Sequence, residues 1–103
     1  MILTTVRIER PEGTVVARGV AVQIEEEGGQ ERLNEDEARP YDLCWLYTAQ
    51  GMPVVPLQRR DVVFDEVNLD PETRQLAKYR VVGPVETFAG DHQEALCERV
   101  VGG

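Results

Sequence analysis

The chain has 103 residues, 42% of them hydrophobic, and its 11 basic and 19 acidic side chains give a net charge of −8. This composition indicates one small globular domain, residues 1–103, and no apolar run approaches the ~20 residues that cross a bilayer. The acidic balance disfavours nucleic acid, because phosphate contacts require lysine and arginine. We therefore expect no membrane partner and no sequence-specific nucleic-acid binding.

Missing residue types narrow the possible chemistry. The chain has no serine, a single lysine at Lys78 and no glycine-rich phosphate loop, so serine-nucleophile and phosphate-loop mechanisms lack their residues. The start of the chain lacks the features of a secretory signal, so the expected compartment is the cytoplasm. There, Cys44 and Cys97 are expected to be free, buried thiols, with a disulfide or a metal site as alternatives.

Valine is the commonest residue, with fifteen copies, and short alternating runs between turn signals predict a mainly β domain. The fold class we expect is a small barrel or sandwich with long loops. In the first run Val6 and Ile8 share one face, and the sequence RPEGT that follows predicts a hairpin turn. In the second run the apolar parity changes at Gly19, where a bulge would turn Val15 and Ala17 inward with the later valines.

An acidic segment follows, at about residues 25–38. Residues 25–37 hold seven acids and one arginine, so −6 of the net charge lies there. This pattern is typical of a solvated loop, and it also fits an arm that docks on a basic protein surface. The candidate partner-binding residues are Glu25, Glu26, Glu27, Glu31, Glu35, Asp36 and Glu37, together with Met52 and Pro53 of the next connection.

The run YDLCWLYTA predicts a central strand. Tyr41, Trp45 and Tyr47 share a face, and core packing is the expected role of these rings, with a nucleic-acid stacking platform as the alternative. The proline-bearing sequence GMPVVP predicts an edge or a connection. Strands are expected around 62–67 and 76–82, with a turn at Asp70-Pro71 between them.

The last part of the chain has two open points. Gly83-Pro84 predicts a corner before the short run VETF. Residues 91–101 have helical propensity but also alternate, and we favour a strand.

Candidate catalytic residues are sparse. His92 lies beside Asp91 and two residues before Glu94, but a metal site needs more ligands, and nothing in the local sequence would lower a thiol pKa for a Cys-His pair. We therefore expect a surface histidine, no cofactor, no metal and no enzymatic activity.

The segment LQRRDVVFDEVNLDPETRQLAKYRVVGPVETFAGDHQEALCERV, residues 57–100, resembles small bacteriophage head-tail connector proteins. This is the head-closure or head-tail adaptor group, whose members are small β-barrels with long loops that stack as a ring on the portal. The resemblance implies a structural virion protein in head completion, with the phage portal or adaptor ring and the tail proteins as partners. It also implies that residues 25–37 and 51–56 reach toward neighbouring subunits, and that the chain moves from host cytoplasm into the virion.

Two further expectations concern association. Exposed strand edges of a small barrel are expected to pair with a neighbouring subunit and so close a homo-oligomeric ring. The rival hypothesis is an acidic regulatory or inhibitor protein that occupies a basic partner surface by charge mimicry.

Overall fold

The computed structural model describes residues 2–26, 43–51, 54–71, 73–88 and 91–100. Six strands form a closed antiparallel barrel in the order β1-β2-β3-β6-β5-β4. The strands are β1 (Ile2–Glu9), β2 (Val15–Glu26), β3 (Leu43–Thr48), β4 (Val62–Leu69), β5 (Leu76–Phe88) and β6 (His92–Val100). The mainly β fold class is therefore confirmed, in its barrel form. Within the described ranges, no helix is long and apolar enough to cross a membrane.

Gly19 marks a bulge in β2, as its parity change predicts. It has a φ of 62°, and the pairing shifts from Val6–Val20 to Ile8–Ala17 across it. Ala17 then packs against the core, but Val15 does not. The pairing shifts once more before Glu9–Val15, so Val16 takes the inner place and Val15 is exposed. The prediction that Val15 points inward was wrong, because no glycine in the sequence marks the position of this second shift in pairing.

The faces of β3 are the reverse of those predicted. Cys44, Leu46 and Thr48 are buried, whereas Trp45 and Tyr47 lie on the outer face and are only partly buried. Their rings stack there with centroids 6.5 Å apart. Tyr41 lies outside the described residues. The interior of a six-stranded barrel is narrow, so on β3 the smaller side chains point inward and the two large rings remain outside, while Tyr79 of β5 is the ring that the core accommodates in the described residues.

β5 runs without a corner through Gly83-Pro84, so that prediction was wrong. Gly83-Pro84 lies instead within a stretch of irregular pairing with β6, between Val81 and Val85. Gly83 is buried in this irregular stretch, and a Cβ added to it would lie 3.2 Å from the Cβ of Leu96. β6 extends from His92 to Val100, so the preference for a strand was correct.

We expect Gly83→Ala to lower the free energy of unfolding by about 1–2 kcal/mol, because the new methyl group meets a Cβ atom that no rotamer change can move. Urea denaturation followed by Trp45 fluorescence measures the loss. A variant within about 0.3 kcal/mol of the parent chain would show that the two strands separate easily at this point.

The barrel has two different ends. At one end, residues 54–58, here called the strap, lie against the core: Leu57 is buried and Val55 packs on the buried cluster. Gln93 holds the strap through both backbone groups of Val55, at 2.9 and 3.1 Å. The other end, where β1 begins and β2 stops, has a cavity between its described residues and is here called the open end; residues 27–42, which follow β2, lie outside the described residues. The prediction that GMPVVP forms a connection is correct for the described residues 54–56.

Candidate functional site

The open end contains a cavity of about 760 Å³. Ile24, Cys44, Ala77 and Tyr79 contribute apolar surface to its wall, and all four are buried. Tyr79 also contributes its phenol group, and burial, followed by the nearby Cys44 and Asp65, raises the pKa of Tyr79 to about 12. The phenol is therefore neutral at ordinary pH. A concave, mainly apolar surface with a few polar groups is the usual form of a binding site.

Asp65 is a fully buried carboxylate in the wall of this cavity. It accepts hydrogen bonds from Thr4 Oγ1 at 2.7 Å, from the Val67 and Asn68 backbone N–H groups at 2.8 and 2.9 Å, and from Asn68 Nδ2 at 2.9 Å. Burial acts to raise the pKa of Asp65, but the hydrogen bonds from Asn68, Thr4 and Val67 outweigh it, so the pKa is lowered. The four donors therefore hold a charged side chain inside the barrel.

The entrance of the cavity carries more acids than bases. Asp70 is buried and pairs with Arg99 at 2.7 Å, while Glu25 and Glu26 line the entrance from the end of β2. Of the lining residues that the structure describes, four are carboxylic acids and one is an arginine. Glu26 is exposed and has no ion pair within the part of the chain that the structure describes. The entrance is therefore electronegative.

Exposed apolar side chains lie at this end of the barrel, two of them, Ile2 and Leu69, in the lining of the cavity. Ile2, Leu69 and Leu76 are 40%, 58% and 36% exposed, and Val67 near the end of β4 is 65% exposed. Leu69 pairs with Leu76 at the end of the β4–β5 hairpin, and Ile2 and Leu69 both line the cavity. We call Ile2, Val67, Leu69 and Leu76 the apolar rim. Exposed apolar residues beside a cavity commonly mark a protein contact surface.

Two of the predicted partner-binding residues, Glu25 and Glu26, belong to this open end. The other seven, Glu27, Glu31, Glu35, Asp36, Glu37, Met52 and Pro53, lie outside the described residues. The sequence did not single out Asp65, Tyr79 and Arg99 as one site, because they lie on three neighbouring strands whose pairing register brings them together. The unbroken alternation of β5 was the one signal that Tyr79 faces inward.

His92 lies near the opposite end of the barrel, between two carboxylates. Its Nδ1 is 2.5 Å from Asp91 Oδ2 and its Nε2 is 2.8 Å from Glu94 Oε2, while its ring stacks on Phe88. The hydrogen bond with Glu94, then that with Asp91, raises the pKa of His92. These contacts let His92 stabilise the β5–β6 hairpin.

We expect His92→Gln to leave oligomerisation unchanged and to remove a pH-dependent part of stability. A pKa raised by folding contributes stability that is fully present below the unfolded value of about 6.5 and is lost as the pH rises through the folded value. Urea midpoints between pH 5 and 9 should therefore fall with rising pH more in the parent chain than in the variant. Equal slopes of urea midpoint against pH in the two chains would contradict a stabilising role of His92 in the hairpin.

The two cysteines are buried thiols outside any disulfide, as predicted. Cys44 and Cys97 lie directly opposite each other on β3 and β6, and burial, followed by the neighbouring Cys44, raises the pKa of the Cys97 thiol. Across the described ranges, no three His, Cys, Asp or Glu side chains are grouped so as to hold a metal ion.

No family model, no curated protein and no solved structure matches the chain. The fold and the open end define its class by geometry: a small closed antiparallel β-barrel of six strands with an acidic, apolar-rimmed cavity at one end.

Proposed function

We propose that this protein is a structural component of a bacteriophage particle that joins the head, at its portal, to the tail, and that it assembles there as a ring. The observation that carries the proposal is the apolar rim at the open end of the barrel. Exposed apolar residues gathered at one end are costly for a solitary chain and favourable in an assembly, where a neighbouring protein covers them.

Two other features support the same function. Residues 57–100 resemble head-tail connector proteins, and these residues contain the whole of β4, β5 and β6, including the Leu69–Leu76 part of the rim. The acidic stretch that begins at Glu25 starts at the same end of the barrel. In an assembled connector, excess negative charge would let DNA pass without binding, because like charges repel.

The route of association differs from the one expected from the sequence. Every strand of the closed barrel has a strand neighbour on both sides, so no strand of the described part offers a whole free edge to another subunit. Contacts in the proposed ring are therefore made by side chains of the rim and by the ends of the barrel. Heterologous contacts of this kind still close into a ring when repeated by rotation.

Native mass spectrometry and negative-stain imaging test this function, with the chain alone and mixed with purified portal particles. We expect the mass of an oligomer of the 11.6 kDa chain and an added ring of density on the portal. A chain that stays monomeric beside both head and tail particles would overturn the proposal.

The rival hypothesis, charge mimicry, draws on the same acidic stretch. An acidic inhibitor would form a 1:1 complex with a basic DNA-binding protein that dissociates as salt rises, and would need no apolar rim. A salt-sensitive complex that Leu69→Ala leaves unchanged would favour it.

A further inference from the structure

We propose that the open end of the barrel is a socket for an apolar side chain in a basic segment of a partner protein. This inference rests on the proposed function, since it names the chemistry of the partner contact. The cavity of about 760 Å³ passes from the apolar rim to Ile24, Cys44, Ala77 and Tyr79. An aliphatic or aromatic side chain inserted there would bury apolar surface on both partners.

The charge of the socket determines which residues of the partner can lie next to the inserted side chain. Among the described residues, Glu25, Glu26, Asp65 and Asp70 line the cavity together with one base, Arg99. Asp65 and Asp70 are already bonded to groups of this chain, whereas Glu26 is exposed at the entrance. A lysine or arginine next to the inserted side chain would therefore meet Glu26, while an acidic neighbour would be repelled.

Two capped hexapeptides of the same length and apolar content test the charge preference: GLKLKG and GLELEG. Methyl NMR of the whole chain reports where each peptide binds. We expect GLKLKG to shift the methyl signals of Ile2, Ile24 and Leu69, and GLELEG to bind at least tenfold more weakly. Equal binding of the two peptides, or shifts confined to another surface, would overturn the socket.

The chain offers a matched pair of substitutions. Leu69 at the open end and Val54 at the strapped end are both exposed apolar residues, at 58% and 66%. Leu69→Lys and Val54→Lys change the net charge equally, but only Leu69→Lys removes rim surface and places a cation at the entrance. We expect Leu69→Lys to weaken GLKLKG binding about tenfold and Val54→Lys to change it less than twofold. Equal effects would contradict the proposal.

A thiol measurement needs no substitution. Cys44 lines the cavity and Cys97 does not. Methyl methanethiosulfonate transfers its methylthio group to a thiolate and releases methanesulfinate, and peptide mapping by mass spectrometry gives the rate at each cysteine. We expect GLKLKG to slow the reaction of Cys44 and leave that of Cys97 unchanged. Unaltered Cys44 reactivity at peptide saturation would overturn the socket.

The outcomes separate this inference from the proposed function. If Leu69→Lys joins portal particles as well as Val54→Lys does, the socket is wrong while the connector function stands. If GLKLKG binds at the open end but no ring forms, the socket stands and the connector function fails.

Discussion

Replacing Asp65 with alanine is expected to lower the free energy of unfolding by about 3 kcal/mol. Asp65 is fully buried and accepts four hydrogen bonds, so alanine would leave the donors of Thr4, Val67 and Asn68 without their acceptor. Urea denaturation at pH 7, followed by Trp45 fluorescence, measures the loss. Asp65→Asn keeps one acceptor oxygen and should lose about half as much.

The Asp65 contribution should also depend on pH. Folding lowers the pKa of this carboxyl below its usual value of 3.8, so the stability it provides is present above that value. It is lost as the pH falls through the lower, folded pKa. The difference in unfolding free energy between the parent chain and Asp65→Asn should therefore shrink between pH 5 and pH 2. A difference that grows on acidification would contradict a charged Asp65.

Replacing Arg10 with methionine is expected to cost about 3 kcal/mol, because it leaves a buried carboxylate without its cation. Arg10 Nη1 lies 2.6 Å from Asp61 Oδ2, and Asp61 is fully buried, with the Gln58 backbone N–H as a second donor at 2.7 Å. Arg10 also donates to the Pro56 carbonyl at 2.9 Å, so the change loosens the strap. Denaturation and hydrogen exchange at Leu57 measure the two effects.

A double-mutant cycle isolates the contribution of the ion pair between Arg10 and Asp61. Asp61→Asn removes the carboxylate, so Arg10→Met in that background should cost at least about 1.5 kcal/mol less than in the parent chain. Arg18→Met is the matched control: Arg18 is exposed and forms no ion pair in the described ranges, so its loss should cost less than about 0.5 kcal/mol. Equal costs for Arg10 and Arg18 would show that Asp61 needs no cation.

The sequence predicts the barrel strands better than it predicts their faces. Alternation in β1, β2 and β5 identifies which residues point inward. Gly19 predicts the position of the bulge in β2, because few other residues adopt a positive φ. In β3 both faces are apolar, so periodicity carries no information there. The sizes of the side chains decide which face of β3 points inward. Cys44 lies inside, opposite Cys97, while Trp45 lies outside.

The open end was only partly predictable, for a reason of chain topology. The acidic segment that starts at Glu25 is visible in the sequence. The apolar rim is not, because Ile2 is 67 residues from Leu69 along the chain and becomes its neighbour only when the barrel closes. Exposed apolar residues at the end of a strand also look like ordinary strand positions, so only their exposure in the folded barrel distinguishes them.

Photocrosslinking from the open end tests the central claim most directly. Benzoylphenylalanine is placed at position 69 in one sample and at position 54 in another, and each chain is assembled with portal and tail particles before irradiation. We expect crosslinks to a head or tail protein, or to a second copy of this chain, from position 69 and at most traces from position 54. Crosslinks from position 54 alone, or from neither position in assembled particles, would contradict that claim.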